Sequence, residues 1–331
     1  MESNTWIQQL FCRPLYNLGA NGNDALNDIY SPGYSKELIE RFMTEYYESV
    51  DGARSQAAKM DMTSYYHGLM VEALEVADSK PDDPLRPDIL EIGCGFGSAT
   101  FPLLQLMPQA RLVATELSSS MLMVLKEKLK AEGMEHRCTL MQLNAEELDF
   151  KAGSFDLVVG AAILHHLFDP SIVIKQCATL LKPGGIAIFF EPFENGYSIM
   201  GAIFKAIRSN PRSWLFSWRA RRYFKHTLNT WQKMKATDKS DPFFSRVDDK
   251  WLFTREFFTQ QAKKHGFSSV KIHSLNKSNE PFFQFAEEHI KGNNVGKLPQ
   301  WVWSLIRDYD NHFSRELKMD LLTEGCIILK K

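Results

Sequence analysis

The chain has 331 residues, of which 39 are basic and 40 acidic, so its formal net charge is −1 at pH 7. With 44% hydrophobic and 24% charged residues it has an ordinary globular composition, which excludes a disordered or fibrous protein. It contains no run of about 20 apolar residues and no basic and apolar signal region at its start, so we expect a cytoplasmic protein.

The first 87 residues are predicted to form a helical N-terminal cap without strands. Apolar residues recur at helical spacing in two stretches, 36–50 and 63–77. Prolines at positions 81, 84 and 87 then favour a linker.

Residues 88–192 alternate short apolar runs with helix-like stretches. The runs predict strands at 88–92, 111–115, 155–159 and 186–190. The stretches between them predict helices at 99–106, 121–132 and 172–181. This alternation predicts an α/β domain in which helices cover both faces of a parallel sheet.

A glycine-rich turn, residues 93–97, follows the first of these strands. Glycine lets the backbone approach a nucleotide without interference from a Cβ atom. The pattern is G-x-G-x-G, and Ser98 stands where the nicotinamide fingerprint requires Gly or Ala. Glu116 ends the second strand 19 residues after Gly97, where a carboxylate can accept both ribose hydroxyls. Cys94, like the four other scattered cysteines, indicates neither a disulfide framework nor a metal site.

Two further segments complete the pattern, Asn144-Ala145-Glu146-Glu147-Leu148 before the fourth strand and the turn 180–185 before the fifth. Together the four segments resemble the class I S-adenosylmethionine-dependent methyltransferases, most of all the ubiquinone/menaquinone-type small-molecule enzymes. The resemblance implies a Rossmann-like, mostly parallel sheet of seven strands. It also implies S-adenosylmethionine as cofactor and S-adenosylhomocysteine as product.

The resemblance assigns the cofactor site residue by residue. It implies that the methionine, ribose and adenine parts contact Glu91, Gly93, Gly95, Gly97, Glu116, Leu117, Asn144 and Ala145, with backbone near Ala161 at the amino group. Tyr65 and Tyr66 resemble an aromatic cap over the cofactor, and packing of their own helix explains them equally well.

Candidate catalytic residues follow the fourth and fifth strands. Methyl transfer from a sulfonium is an in-line displacement, so the protein must align the acceptor and remove a proton where the acceptor carries one. His166 or His165 is a candidate general base near neutral pH. Glu191 is a candidate to orient an amine, accept a proton or stabilise a carbocation. Structural packing of the histidines and a backbone hydrogen bond to Glu191 remain alternatives.

Residues 193–252 are predicted to form a basic, aromatic lid. Residues 195–237 contain nine basic residues and no acid, whereas the rest of the chain has 30 basic against 40 acidic residues. Such asymmetry is typical of a surface that contacts an anion. Arg221 and Arg222 are the candidates for substrate contact. An anionic membrane surface and a solvated basic face remain alternatives.

Residues 253–331 are predicted to complete the core, with a second insertion at 279–318. The whole pattern predicts a methyltransferase that acts on a small, apolar or amphiphilic anionic metabolite and binds no nucleic acid. A cofactor-binding accessory protein without activity and an RNA methyltransferase are the alternatives. The sequence leaves the acceptor atom and the oligomeric state undetermined.

Overall fold

The computed structural model describes residues 2–21, 24–34, 50–59, 62–77, 86–275 and 278–331. Its helices are α1 (Glu2–Leu10), α2 (Val50–Lys59), α3 (Thr63–Val76), α4 (Thr100–Leu106), α5 (Ser119–Ala131), α6 (Pro170–Leu180), α7 (Glu194–Ser209), α8 (Trp218–Met234), α9 (Arg255–His265), α10 (Pro281–Gly292), α11 (Gln300–His312) and α12 (Arg315–Asp320). The helix predicted at 36–50 lies, except for its last residue, outside the described residues. No described helix is long and apolar enough to cross a membrane.

The strands are β1 (Tyr16–Asn17), β2 (Ile29–Ser31), β3 (Asp88–Ile92), β4 (Arg111–Glu116), β5 (Cys138–Gln142), β6 (Phe155–Ala161), β7 (Leu181–Pro192), β8 (Ser269–Ser274) and β9 (Glu324–Lys330). They form one sheet in the order β1-β2-β5-β4-β3-β6-β7-β9-β8. The neighbours from β2 to β6 run parallel to one another. The predicted Rossmann-like, mostly parallel sheet is therefore confirmed.

The predicted number of seven strands is wrong, because the described residues contain nine. The two additional strands, β1 and β2, come from the segment that was expected to be helical. Strand β2 pairs in parallel with β5, and all three of its residues are buried. Strands of two and three residues are too short to produce an alternating pattern, so the sequence did not reveal them.

Ion pairs fix the N-terminal ends of the central strands. The carboxylate of Asp156 accepts a hydrogen bond from the backbone N–H of Asp88 at 2.8 Å. The side chain of Asp88 pairs with Arg111 at 2.6 Å, and Lys182 reaches Asp156 at 2.7 Å and Asp88 at 3.2 Å. The network joins the N-terminal ends of β3, β4, β6 and β7. It therefore helps to fix how these four strands are aligned with one another.

The chain divides into two compact units. The first consists of residues 1–189, 259–271 and 327–331, and the second of residues 190–258 and 272–326. The second unit is largely helical, and its hydrophobic core combines side chains from both predicted insertions. Phe216, for example, stacks on Trp301 with ring centroids 5.7 Å apart. The carboxylate of the fully buried Asp310 accepts the backbone N–H groups of Phe282 and Phe283, which begin α10.

Candidate cofactor and active site

In the glycine turn after β3, two of the three glycines are closely packed against side chains and the third is not. Gly93, Gly95 and Gly97 have φ angles of 69°, 51° and 94°, in the left-handed region that favours glycine. A Cβ atom on Gly93 would lie 2.7 Å from the side chain of Ile163, and one on Gly97 would lie 2.6 Å from Leu125. A Cβ on Gly95 would meet no atom within 4 Å. Gly95 therefore faces open space.

Glu116 lies beside this space at the end of β4. Its Oε1 accepts the backbone N–H groups of Leu117 at 2.7 Å and Ser118 at 3.0 Å, and its Oε2 accepts that of Gly95 at 3.2 Å. Burial raises the pKa of Glu116 above its ordinary value, and these three donors oppose the shift. A carboxylate offers about four acceptor positions, so part of this one stays available to hydroxyl donors.

Glu91, two residues before the turn, is buried beneath it. Its side chain is 1% exposed and accepts a hydrogen bond of 2.6 Å from the hydroxyl of Thr100. Desolvation, together with the charge of Glu116, raises the pKa of Glu91 to about 7, while the Thr100 bond opposes the rise. Glu91 is therefore partly protonated near neutral pH.

Asn144 begins a loop that several hydrogen bonds hold in place. Its Oδ1 accepts the backbone N–H of Glu146 at 3.0 Å, and its own N–H donates to the hydroxyl of Tyr34 at 3.1 Å. Gln176 of α6 holds the rest of the loop by bonding the N–H of Leu148 and the carbonyl of Ala145. With Oδ1 engaged in its own loop, the side-chain amide of Asn144 keeps its NH2 group as a donor.

The chain turns sharply where β6 ends. Ala162 has a φ of 55°, which a non-glycine residue adopts only at a cost, and such positions cluster at functional sites. His165 and His166 follow in a short 3-10 turn, with ring centroids 4.1 Å apart. His165 is buried at 9% exposure, whereas His166 is half-buried.

The remaining predicted residues of the first unit have more ordinary surroundings. Tyr65 and Tyr66 lie in the first turn of α3, pack edge to face with centroids 5.4 Å apart, and Tyr65 is 42% exposed. Burial raises the pKa of Cys94 well above its ordinary value, which favours an inert thiol over a reactive one. The thiol of Cys94 therefore adds no reactive group to the turn, whose polar groups are those of its backbone and of its flanking carboxylates.

The predicted residues of the second unit lie in β7 and α8. Glu191 is 2% exposed near the end of β7. Arg221 donates hydrogen bonds to the carbonyls of Trp214 and Phe216, and Arg222 lies over the ring of Trp218 at 5.2 Å. A cavity of about 480 Å³ is lined by three basic residues, three aromatic residues, three small polar residues and a proline: Arg208, Arg221, Lys225, Trp214, Phe216, Phe224, Ser209, Asn210, Ser213 and Pro211.

Sequence reasoning missed three supporting residues, Thr100, Tyr34 and Gln176. Each acts on a predicted site residue through one or two hydrogen bonds across 9 to 110 positions of sequence. No local motif marks such partners. Only the hydroxyl of Thr100, three residues after Gly97 and the first residue of α4, offered a signal, since a buried carboxylate needs a donor.

Comparisons with known proteins bear on the family to which this fold and this glycine turn belong. Residues 90–187 match a family described as a methyltransferase domain. The chain is 28% identical to a demethylmenaquinone methyltransferase of Lactococcus lactis, over 58% of this chain and 74% of that protein. It is 33% identical to a ubiquinone biosynthesis O-methyltransferase of Nitrosococcus oceani, over 38% of this chain and 52% of that protein. It spans about half the length of several curated relatives that it matches.

Among solved structures, a phosphoethanolamine N-methyltransferase 2 of Haemonchus contortus superimposes with a TM-score of 0.50 at 17% identity, over 91% of this chain and 61% of that one. This likeness shows the fold. The fold, the glycine turn and the family match together support a class I S-adenosylmethionine-dependent methyltransferase domain at residues 90–187, with S-adenosylmethionine as cofactor. The accessory-protein and RNA-methyltransferase alternatives are not favoured.

Proposed function

We propose that the chain transfers a methyl group from S-adenosylmethionine to a small, apolar or amphiphilic anionic metabolite. The observation that carries the proposal is the open space over Gly95 beside the carboxylate of Glu116. S-adenosylmethionine supplies an electrophilic methyl group on a sulfonium and leaves as S-adenosylhomocysteine. Glu116 and Leu117 would hold the ribose, and Asn144 and Ala145 the adenine.

The proposed acceptor class rests on two features. The relatives from Lactococcus and Nitrosococcus carry names that refer to demethylmenaquinone and to ubiquinone biosynthesis. The cavity of the second unit combines the cations of Arg208, Arg221 and Lys225 with aromatic walls. Its volume lies in the range of small-molecule sites, and its lining suits a molecule with an apolar body and an anionic group.

The proposed proton transfer depends on the acceptor. If the acceptor is a hydroxyl, His166 takes its proton as the oxygen is methylated, and His165 positions the ring. Glu191 acts instead if the acceptor is an amine or an alkene. These roles suit a half-buried imidazole after β6 and a buried carboxylate near the end of β7.

The function is tested by measuring S-adenosylhomocysteine release with three acceptors: the reduced, quinol form of demethylmenaquinone, a dihydroxybenzoate with an isoprenoid tail, and phosphoethanolamine. We expect turnover with one of the two acceptors that carry an isoprenoid tail, and the dihydroxybenzoate also carries the anionic group that the cavity suits. Binding of S-adenosylmethionine without turnover of either of these two would contradict the proposed acceptor class.

A charge variant tests the cavity. Arg208→Gln combined with Lys225→Gln should raise KM for the acceptor by about tenfold, with kcat unchanged and with a smaller effect at high salt. Lys263→Gln combined with Lys264→Gln removes the same charge from exposed positions and is the matched control. An unchanged KM in the cavity variant would mean that the cavity does not bind the acceptor.

A further inference from the structure

Three exposed apolar side chains lie close together in the second unit, between α7 and the start of α8. Trp214, Leu215 and Trp218 are 69%, 62% and 70% exposed, the highest values of any large hydrophobic side chain among the described residues. We call them the tryptophan patch. Single exposed apolar residues are common, but a cluster with two indoles marks an interaction site.

The patch is held firmly by the residues around it. Asn210 caps the turn 211–215 by accepting the backbone N–H of Arg212, and Ser217 caps α8 by accepting that of Ala220. Phe216, between the two caps, is buried and stacks on Trp301 and Phe224. Because Phe216 packs into the core, the three side chains of the patch on either side of it in sequence are exposed to solvent.

Arg221 completes this support. It donates to the carbonyls of Trp214 and Phe216 and so ties the turn to the first turns of α8. The two caps, the stacked ring of Phe216 and the hydrogen bonds of Arg221 already order the backbone that carries the patch. Binding a partner therefore costs this segment little further conformational entropy.

The segment that carries the patch has only positive charges. Six exposed basic side chains belong to residues 208–225: Arg208, Arg212, Arg219, Arg221, Arg222 and Lys225. No acidic residue occurs between Glu194 and Asp238. The guanidinium of Arg222 over the ring of Trp218 pairs a cation with an indole, the two groups that favour the boundary between lipid head groups and hydrocarbon.

We propose that the tryptophan patch docks the protein onto the surface of a bilayer that contains anionic phospholipids. The indoles and Leu215 enter the head-group boundary, and Arg212 and Arg219 contact lipid phosphates. An acidic protein would match the charge, but two exposed indoles beside arginines match a lipid interface better. Docking is separate from the acceptor proposal, although Trp214 also lines the cavity.

The test is co-sedimentation of the full chain with vesicles of phosphatidylcholine alone and of phosphatidylcholine mixed with phosphatidylglycerol. We expect the wild type to bind only the mixed vesicles, with a blue shift of tryptophan fluorescence and with weaker binding as salt rises. Binding to neither vesicle, or equally to both, would overturn the proposal. The first of these results would leave an acidic protein as the occupant.

Two variants separate the apolar and the charged contributions. Arg212→Gln combined with Arg219→Gln should weaken binding to mixed vesicles by about 30-fold, taking the usual contribution of each basic residue near an anionic surface. Trp214→Ser combined with Trp218→Ser should weaken it by about tenfold or more and abolish the blue shift. These side chains are exposed, so the fold and the affinity for S-adenosylmethionine should not change.

The matched controls are Lys263→Gln combined with Lys264→Gln for charge and Tyr16→Ser for an exposed aromatic ring. They should bind mixed vesicles as the wild type does. If they weaken binding as much as the patch variants do, the attraction is not local and the proposal fails. Loss of turnover on every acceptor, with vesicle binding intact, would contradict the proposed function alone.

Discussion

Replacing Glu116 by glutamine perturbs the cofactor site with the smallest change of shape. In the wild type the carboxylate accepts three backbone N–H groups, from Gly95, Leu117 and Ser118. A glutamine amide has a single acceptor oxygen, and its NH2 group would face one of these donors. The variant therefore lacks the charge and the acceptor positions that a ribose diol requires.

The expected loss follows from counting acceptor positions. Three of about four are filled by the protein, so a diol occupies the open one and displaces the longest bond, that from Gly95 at 3.2 Å. Two bonds to a charged group, at roughly 1.5 to 3 kcal/mol each with part of the loss shared, correspond to about 2 to 4 kcal/mol. The dissociation constant of S-adenosylmethionine should rise about 30-fold to 1000-fold in Glu116→Gln and in Glu116→Ala.

The assay is calorimetric titration with S-adenosylmethionine and with S-adenosylhomocysteine, at fixed pH and salt and well below the unfolding temperature. Glu132→Gln changes an exposed glutamate after α5 and is the matched control, which should bind like the wild type. Nicotinamide dinucleotide should not compete. Wild-type affinity in both Glu116 variants, with the fold intact, would refute the assignment of this carboxylate to the ribose.

Three further predictions concern stability and turnover. The pKa of Glu91 is about 7 in the folded protein and 4.5 in the unfolded chain. Between these two pH values the native state therefore binds more protons than the unfolded state. The free energy of unfolding should fall by up to about 3 kcal/mol as pH rises through this range. Glu91→Gln should flatten that part of the profile in urea unfolding at pH 5 and pH 8, and an unchanged slope would contradict the buried carboxylate. Asp310→Ala leaves the buried N–H of Phe282 and the partly buried N–H of Phe283 without their acceptor, so it should lower the free energy of unfolding in urea by about 2 to 4 kcal/mol. A change near zero would mean that the cap contributes nothing. His166→Ala should lower kcat by about 10² to 10⁴-fold for a hydroxyl acceptor and remove the acidic limb of the pH profile, and an effect below that range with cofactor binding intact would leave catalysis to alignment alone.

The sequence determined the parts of this protein that depend on local rules. Strands β3, β4 and β6 are short apolar runs bounded by turns, and the predicted run 186–190 forms the apolar part of the longer β7, whose first residues include the predicted turn. The glycines of the turn after β3 adopt the φ angles that only glycine adopts readily. The position of Glu116 at the end of the second core strand is likewise set by spacing alone. Such features need no distant partner, so they can be predicted from a single chain.

The tertiary structure decided what depends on residues far apart in the chain. Strand β2 exists because β5 offers it a parallel edge more than 100 residues away. The two predicted insertions share one hydrophobic core, since neither segment alone has a partner for its apolar face. The tryptophan patch follows from the same packing: the sequence gives Trp214, Phe216 and Trp218 similar hydrophobicity, and stacking on Trp301 selects Phe216 for the core and leaves the two indoles exposed.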